Sequence, residues 1–342
     1  MPKHYILSID GGGVRGIIPA IALVKLESTT GQLTRDIFRF VAGTSTGAII
    51  AALVAAGIPA AKILDLYLNR TREVITKRPW NWLKLIICGY QYSSSKLRDL
   101  LCDELAHNEA NNWTLNDSPI DLLITAKRVP DGMPWYFVHD NPRNSSSTGC
   151  LKLVDCVTAS AAAPTYFDPW TINETVKVPE TPKNPKGLEQ VGTLVDGGVG
   201  VTGNPVYQAC VEAFYYTQRY SPQETTHDTV TVSLGTGKFV PKKKPTWIYP
   251  WIKWTIDQLL ESPEEQQTEI AHRQFPDMHL YRIDTELKED IPLDGIGSVK
   301  KLQAYGERLA RLIDWKAILE GSNGTAFRVK GHNTRWDQYK QP

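Results

Sequence analysis

Phe38-Arg39-Phe40-Val41-Ala42-Gly43-Thr44-Ser45-Thr46-Gly47-Ala48-Ile49-Ile50-Ala51-Ala52-Leu53 is the stretch that decides the fold. An apolar run, Phe38–Ala42, reads as a strand. Thr46–Ala56 reads as a helix that is apolar on every side and so belongs inside a protein rather than on its surface. Between them Gly43-x-Ser45-x-Gly47 makes a tight strand-to-helix turn that pushes a hydroxyl out at the helix N-terminus. The serine is either a nucleophile on a sharp turn or a simple helix cap. Only 44 residues precede it. They leave room for one βα unit and one strand, so Ser45 must end the second strand of the fold. A conventional α/β hydrolase places its nucleophile after more strands than that.

Working outward, Tyr5–Ile9 reads as the first strand. Asp10-Gly11-Gly12-Gly13-Val14-Arg15-Gly16 turns the chain into a helix over Ile17–Glu27, where Pro19 is tolerable because it lies in the first turn. Bare glycine N–H groups at a helix start form an anion site. Gly11-x-Gly13-x-x-Gly16 also satisfies a dinucleotide fingerprint. That alternative requires an acidic residue at the end of the second strand, where this chain has Gly43-Thr44-Ser45. Further helices are expected over Ala60–Thr76, Lys96–His107, Val154–Ala163 and Asn204–Gln218. Ile120–Arg128 and Trp135–His139 read as paired strands around Pro130-Asp131-Gly132. Thr193–Val195 and Thr229–Leu234 read as later strands, and Lys177–Gly192, rich in Pro and Lys, as a surface loop or flap over the site.

The third glycine-marked turn is Asp196-Gly197-Gly198. A carboxylate released at the C-terminal edge of a sheet stands where open α/β folds hold their sites. Asp196 is either a general base or the start of an Asx turn. The chain has seven histidines, and none follows a strand at a glycine turn. His139, before Asp140, lies in a polar loop.

Composition narrows the class. The 342 residues are 42% hydrophobic and 22% charged, which excludes disorder and coiled coil. Lys+Arg 38 against Asp+Glu 37 gives no reason to expect nucleic acid as a partner. Ala48–Ala56 is the longest aliphatic run, nine residues, where a bilayer span needs about 20. Five scattered cysteines form no CxxC or Cys/His cluster, so neither a metal site nor a disulfide framework is expected. With no signal-peptide pattern at the N-terminus, a cytoplasmic protein is expected. One domain over residues 1–342 is the simplest organisation, with the motifs in about 5–237 and a helical C-terminal elaboration over 238–342.

Together the three turns resemble the patatin-like phospholipase family: a D-G-G-G-x-R-G loop, a G-x-S-x-G turn and a D-G-G segment, in that order. The resemblance runs from about Tyr5 to Gly237. It includes Ala159-Ser160-Ala161-Ala162-Ala163-Pro164 and Ser233-Leu234-Gly235-Thr236-Gly237. It implies a three-layer α/β/α sandwich with a mostly parallel central sheet. It implies Ser45 as nucleophile and Asp196 as its base, with no histidine in the pair. It implies Gly11, Gly12 and Gly13 as an oxyanion hole supported by Arg15. The implied reaction is calcium-independent hydrolysis of phospholipid or lysophospholipid esters through an acyl-serine, with no cofactor. A carboxylesterase or acyltransferase on soluble esters or thioesters, and a non-catalytic lipid- or nucleotide-binding module, are the alternatives.

Two aromatic stretches are candidate contacts with the membrane surface: Trp80 and Trp82, and Trp247, Trp251 and Trp254 after Lys242-Lys243-Lys244. Tryptophan beside lysine suits a headgroup boundary. Packing against the sheet or against a second copy in a homodimer is the other reading. Bacterial members of similar length include defence effectors switched on by a cyclic nucleotide. The chain after Lys238 is where such an activator would be sought.

Overall fold

The computed structural model describes residues 4–76, 85, 87–182, 184–216, 226–239 and 263–321. Trp80, Trp82, Trp247, Trp251 and Trp254, with the lysine triplet, lie outside the described residues.

Ten strands are described: β1 (His4–Ile9), β2 (Phe40–Thr44), β3 (Asp121–Arg128), β4 (Pro134–His139), β5 (Trp170–Lys177), β6 (Leu188–Asp196), β7 (Thr229–Leu234), β8 (Lys238–Phe239), β9 (His279–Ile283) and β10 (Glu286–Leu287). Eight of them make one sheet, and β8 and β10 form a small parallel ribbon. The central run is β3-β2-β1-β7-β9, all parallel, with β4 antiparallel on the far side of β3. The main helices are α1 (Ile17–Thr30), α2 (Thr46–Ala55), α3 (Ser94–Ala106), α4 (Leu153–Ser160), α5 (Val206–Val211), α6 (Pro263–Gln274) and α7 (Val299–Leu312).

The strands alternate their buried side chains between the two faces, as a pleat requires. Leu7, Ile9, Val41, Leu122 and Ile124 pack with α1, α2, α3 and α4. Ile6, Phe40, Ala42 and Leu123 pack with Val206, Ala209, Ala271 and Phe275 from α5 and α6. Both faces are covered, which is why the parallel strands read as near-continuous apolar runs. The result is a three-layer α/β/α sandwich. α7 lies outside α1 and buries Leu302 and Leu309 there. Gly306 permits that approach, because a Cβ would run into Ile21.

Two expectations are corrected. The stretch Lys177–Gly192 is loop only between Lys177 and Leu188: it also holds the end of β5 and the first half of β6, paired in an antiparallel hairpin. The strand expected at Thr193–Val195 is the end of the longer β6. Polar composition hides the hairpin because its partner β5 buries little beyond Ile172 and Val176.

Pairing along β3 places the site. Ala126 and Lys127 pair with β4 on one edge and β6 on the other. Phe40–Thr44 occupy the edge opposite β4 along Asp121–Thr125. So β2 and β6 share one edge of β3 and run toward each other. Thr44 ends opposite Thr125, and Asp196 ends opposite Ala126. The chain leaves β2 at Ser45 where β6 delivers Asp196.

Candidate active site

Ser45 sits at φ 54° and ψ −120°, a conformation rare for a residue with a side chain. The turn is held on both sides. Its N–H donates to Ser160 Oγ at the end of α4, 2.9 Å away. Gly47 carries the helix against β1, where any Cβ would overlap the Ile9 carbonyl. Thr44 Oγ1 lies 2.7 Å from Thr125 Oγ1 and donates to the Thr202 carbonyl, pinning the loop after Asp196 to the end of β2.

Asp196 is 2% exposed. The Ser45 hydroxyl lies near enough to its carboxylate to favour the charged form. Asp196 also accepts from the Gly198 N–H at 2.7 Å, while its own N–H donates to Ala162 O. Burial penalises the charged form and raises the pKa from the usual 3.8 to about 6, against the lowering effect of the Ser45 hydroxyl and the Gly198 N–H. A carboxylate so poised accepts a proton near neutrality more readily than an exposed one.

The glycine loop lies against this pair, with the Gly11 position in contact with Ser45 Cβ. Its three N–H groups differ. Gly11 N–H is committed to the Gly203 carbonyl at 2.9 Å. Gly12 and Gly13 N–H have no backbone acceptor among the described residues. Arg15, 2% exposed, donates from Nε to the Gly12 carbonyl and braces the loop from within.

Residues beyond the motifs hold the loop from the other side. Thr236 Oγ1 donates to Gly11 O at 2.6 Å. Val14 N–H donates to Leu293 O at 2.9 Å. Gly13, at φ 56°, has no room for a Cβ against that same carbonyl. Below the loop, fully buried Asp10 is ion-paired with Arg282 of β9 at 2.6 Å. Arg282 also reaches Asp284 and Ser233 Oγ. Ser160, Arg282 and Leu293 carried no sequence signal for these roles. The small-residue run around Ser160 was visible, but its use as an acceptor for Ser45 was not.

Ser45 lines a cleft walled by Ile49, Val74, Leu97, Leu100, Leu101 and Phe167 among others. The polar groups within the walls bond one another: Tyr67 pairs with Thr46, and Tyr92 OH donates to Asp294 Oδ2 at 2.7 Å. Burial raises the Tyr67 phenol well above its usual range, so it stays neutral. An apolar cleft with a serine on its wall suits an aliphatic chain attached to a carbonyl.

Among the described residues no histidine lines the cleft. His139 pairs with Leu122 at the start of β3, the opposite end from Ser45. No group of described residues could hold a metal ion. No described helix is long and apolar enough to cross a membrane.

Comparison with known proteins places the chain in a family. The family model described as Patatin-like phospholipase matches residues 7–209. A cGAMP-activated phospholipase of Escherichia coli is 27% identical over 91% of this chain and 90% of its own length. Patatin-like protein 2 of Arabidopsis thaliana is 31% identical over 60% of this chain and 52% of its own. VipD from Legionella pneumophila superposes at TM-score 0.40 and 12% identity over 91% of this chain and 67% of its own, too loosely to bear on function. The chain belongs to the patatin-like phospholipase family.

Proposed function

We propose that the protein is a phospholipase A or lysophospholipase working through Ser45 and Asp196. The observation that carries the reading is the approach of the Ser45 hydroxyl to the buried Asp196 carboxylate, whose charged form it favours, with Ser45 on the wall of an apolar cleft. Asp196 takes the Ser45 hydroxyl proton as Oγ attacks the ester carbonyl. Gly12 and Gly13 N–H stabilise the resulting oxyanion, with Arg15 keeping the loop in place. Gly11 is set aside as a donor because its N–H already has an acceptor. Protonated Asp196 then gives its proton to the departing glycerol oxygen. A water deprotonated by Asp196 releases the fatty acid from the acyl-serine. Nucleophile and base both come from the chain, so hydrolysis is expected to persist in excess chelator.

The E. coli relative's name supports a second element, activation by a cyclic nucleotide. Control by such a ligand has a physical motive, since an unregulated phospholipase attacks the membrane of its own cell. The work would then be done at a membrane surface.

The test is lipid mass spectrometry after incubation with phosphatidylethanolamine–phosphatidylglycerol vesicles, with and without cGAMP, with Ser45→Ala as control. Free fatty acid and lysolipid are expected from the native chain only. Activity on short soluble esters alone, unaltered by vesicles, would favour the carboxylesterase alternative.

The pH profile is a second check. Asp196 acts as base only when ionised, and its pKa is about 6. The value of kcat/KM is therefore expected to be flat above that pH and to fall about tenfold per unit below it. A profile still flat at pH 5 would remove Asp196 from the base role.

A further inference from the structure

Part of the lining of the cleft beside Ser45 is a connected series of contacts. Starting from Ser45, its N–H is held by Ser160. The chain from Ser160 reaches Ala163, whose carbonyl accepts from Tyr166 and Phe167 N–H. The Tyr166 carbonyl accepts from Tyr92 N–H at 2.7 Å, and the Tyr92 ring packs 5.7 Å from that of Phe167. Tyr92 OH then donates to Asp294. Next to Asp294, Leu293 O takes the Val14 N–H, and the glycine loop leads back to Ser45. Covalent chain or backbone hydrogen bonds make the links, except where Ser160 receives Ser45, where Tyr92 meets Asp294 and where Gly11 packs against Ser45. The Tyr92–Asp294 link joins a core segment to a loop of the C-terminal extension, 202 positions away.

We infer that the Tyr92–Asp294 hydrogen bond is a clasp that limits the girth of the cleft, making these two residues determinants of acyl-chain selectivity. The inference rests on the acyl-hydrolase reading above. Tyr92 and Asp294 both line the cleft, and their bond ties the segment around Tyr92 to the loop around Asp294, so it limits how far these two lining segments part for a bulky or branched chain. The polar pair is buried among apolar neighbours: Tyr92 is 4% and Asp294 8% exposed. In such surroundings a hydrogen bond to a carboxylate is stronger than in water and is not readily exchanged for one to solvent. Closure is therefore the resting state. The loop bearing Asp294 is stiffened by its own turns, Gly295 N–H to Pro292 O and Ser298 N–H to Gly295 O. Loss of the clasp thus lets the Tyr92 side chain part from that loop, while backbone bonds keep the Tyr92 segment on Tyr166.

The experiment compares kcat/KM for p-nitrophenyl decanoate and p-nitrophenyl cyclohexylbutanoate, equal in carbon number but not in girth. Both esters are followed in Ser45→Ala as background. Native enzyme is expected to prefer the straight chain. Tyr92→Phe keeps the ring and loses the clasp, and should narrow that preference about tenfold, the scale at which apolar pockets sort shapes. The change should fall mainly on KM for the bulky ester. Asp294→Ala should reproduce it, and the double variant should add nothing. Asp294→Asn retains an acceptor for the Tyr92 hydroxyl and should hold the native ratio. An unchanged ratio in both Tyr92→Phe and Asp294→Ala would overturn the clasp while leaving the hydrolase standing. Absence of Ser45-dependent hydrolysis of either ester would overturn the hydrolase reading, and the clasp with it.

Discussion

Ser45→Ala and Asp196→Asn are each expected to lower kcat for acyl-ester hydrolysis by at least about 10⁴, with the double variant no worse than the worse single one. Members of a catalytic unit act together, so removing a second after the first costs little. All single His→Ala variants should retain turnover, because the described histidines stand away from the cleft. A histidine variant as inactive as Ser45→Ala would end the two-residue assignment. Asp196→Asn should also have an opposite effect on stability. In the folded chain burial raises the Asp196 pKa from 3.8 to about 6. A carboxyl whose pKa rises on folding is held more tightly in its protonated form by the native state. Its stabilising effect is present at low pH and is lost as pH rises through about 6. The gap corresponds to roughly 3 kcal/mol at neutral pH. The asparagine variant cannot ionise. It should melt higher than the native protein at pH 8, and the advantage should vanish at pH 4.

Arg282→Leu should cost about 3–5 kcal/mol, because it leaves Asp10 charged and without its ion-pair partner in a dry interior. For a chain of this size the melting point should drop by about 10 °C. The cation also serves Asp284, whose carboxylate takes the Gly237 and Thr285 N–H groups. One substitution therefore loosens both the floor of the glycine loop and the turn after β7. Turnover at a temperature where the variant is still folded should fall as well. A double variant, Asp10→Asn with Arg282→Met, should recover at least half of the lost stability, since it removes the stranded charge. Calorimetry on the three proteins decides the matter. A melting point within two degrees of native for Arg282→Leu would show the pair to be expendable.

The legible part of the fold is the part built from short, fully buried strands closed by glycine turns. β1, β2 and β7 announce themselves through unbroken apolar runs, since both faces of each are covered. β5 and β6 alternate poorly and carry Pro and Lys at their turn, so they pass for a loop. β9, His279-Leu280-Tyr281-Arg282-Ile283, is missed for a different reason. Its arginine looks solvent-facing, yet it points at Asp10 inside the protein. The motifs named Ser45, Asp196 and the glycine loop as candidates, but no spacing revealed which glycine N–H was already taken. That depends on Gly203, a residue nearly 200 positions away whose carbonyl happens to lie opposite. The supports from Thr236, Arg282 and Leu293 are long-range in the same way.

The meeting of β2 and β6 end to end on one edge of β3 has a mechanical consequence. The proposed dyad, Ser45 and Asp196, is spaced by a backbone ladder, not by loops. The β5–β6 turn, between Lys177 and Leu188, can lengthen, shorten or change its surface without altering that spacing. A slip of β6 by a single residue, by contrast, would turn the carboxylate to the opposite face of the sheet. Insertions should thus be harmless in the β5–β6 turn and ruinous within the last three residues of β6.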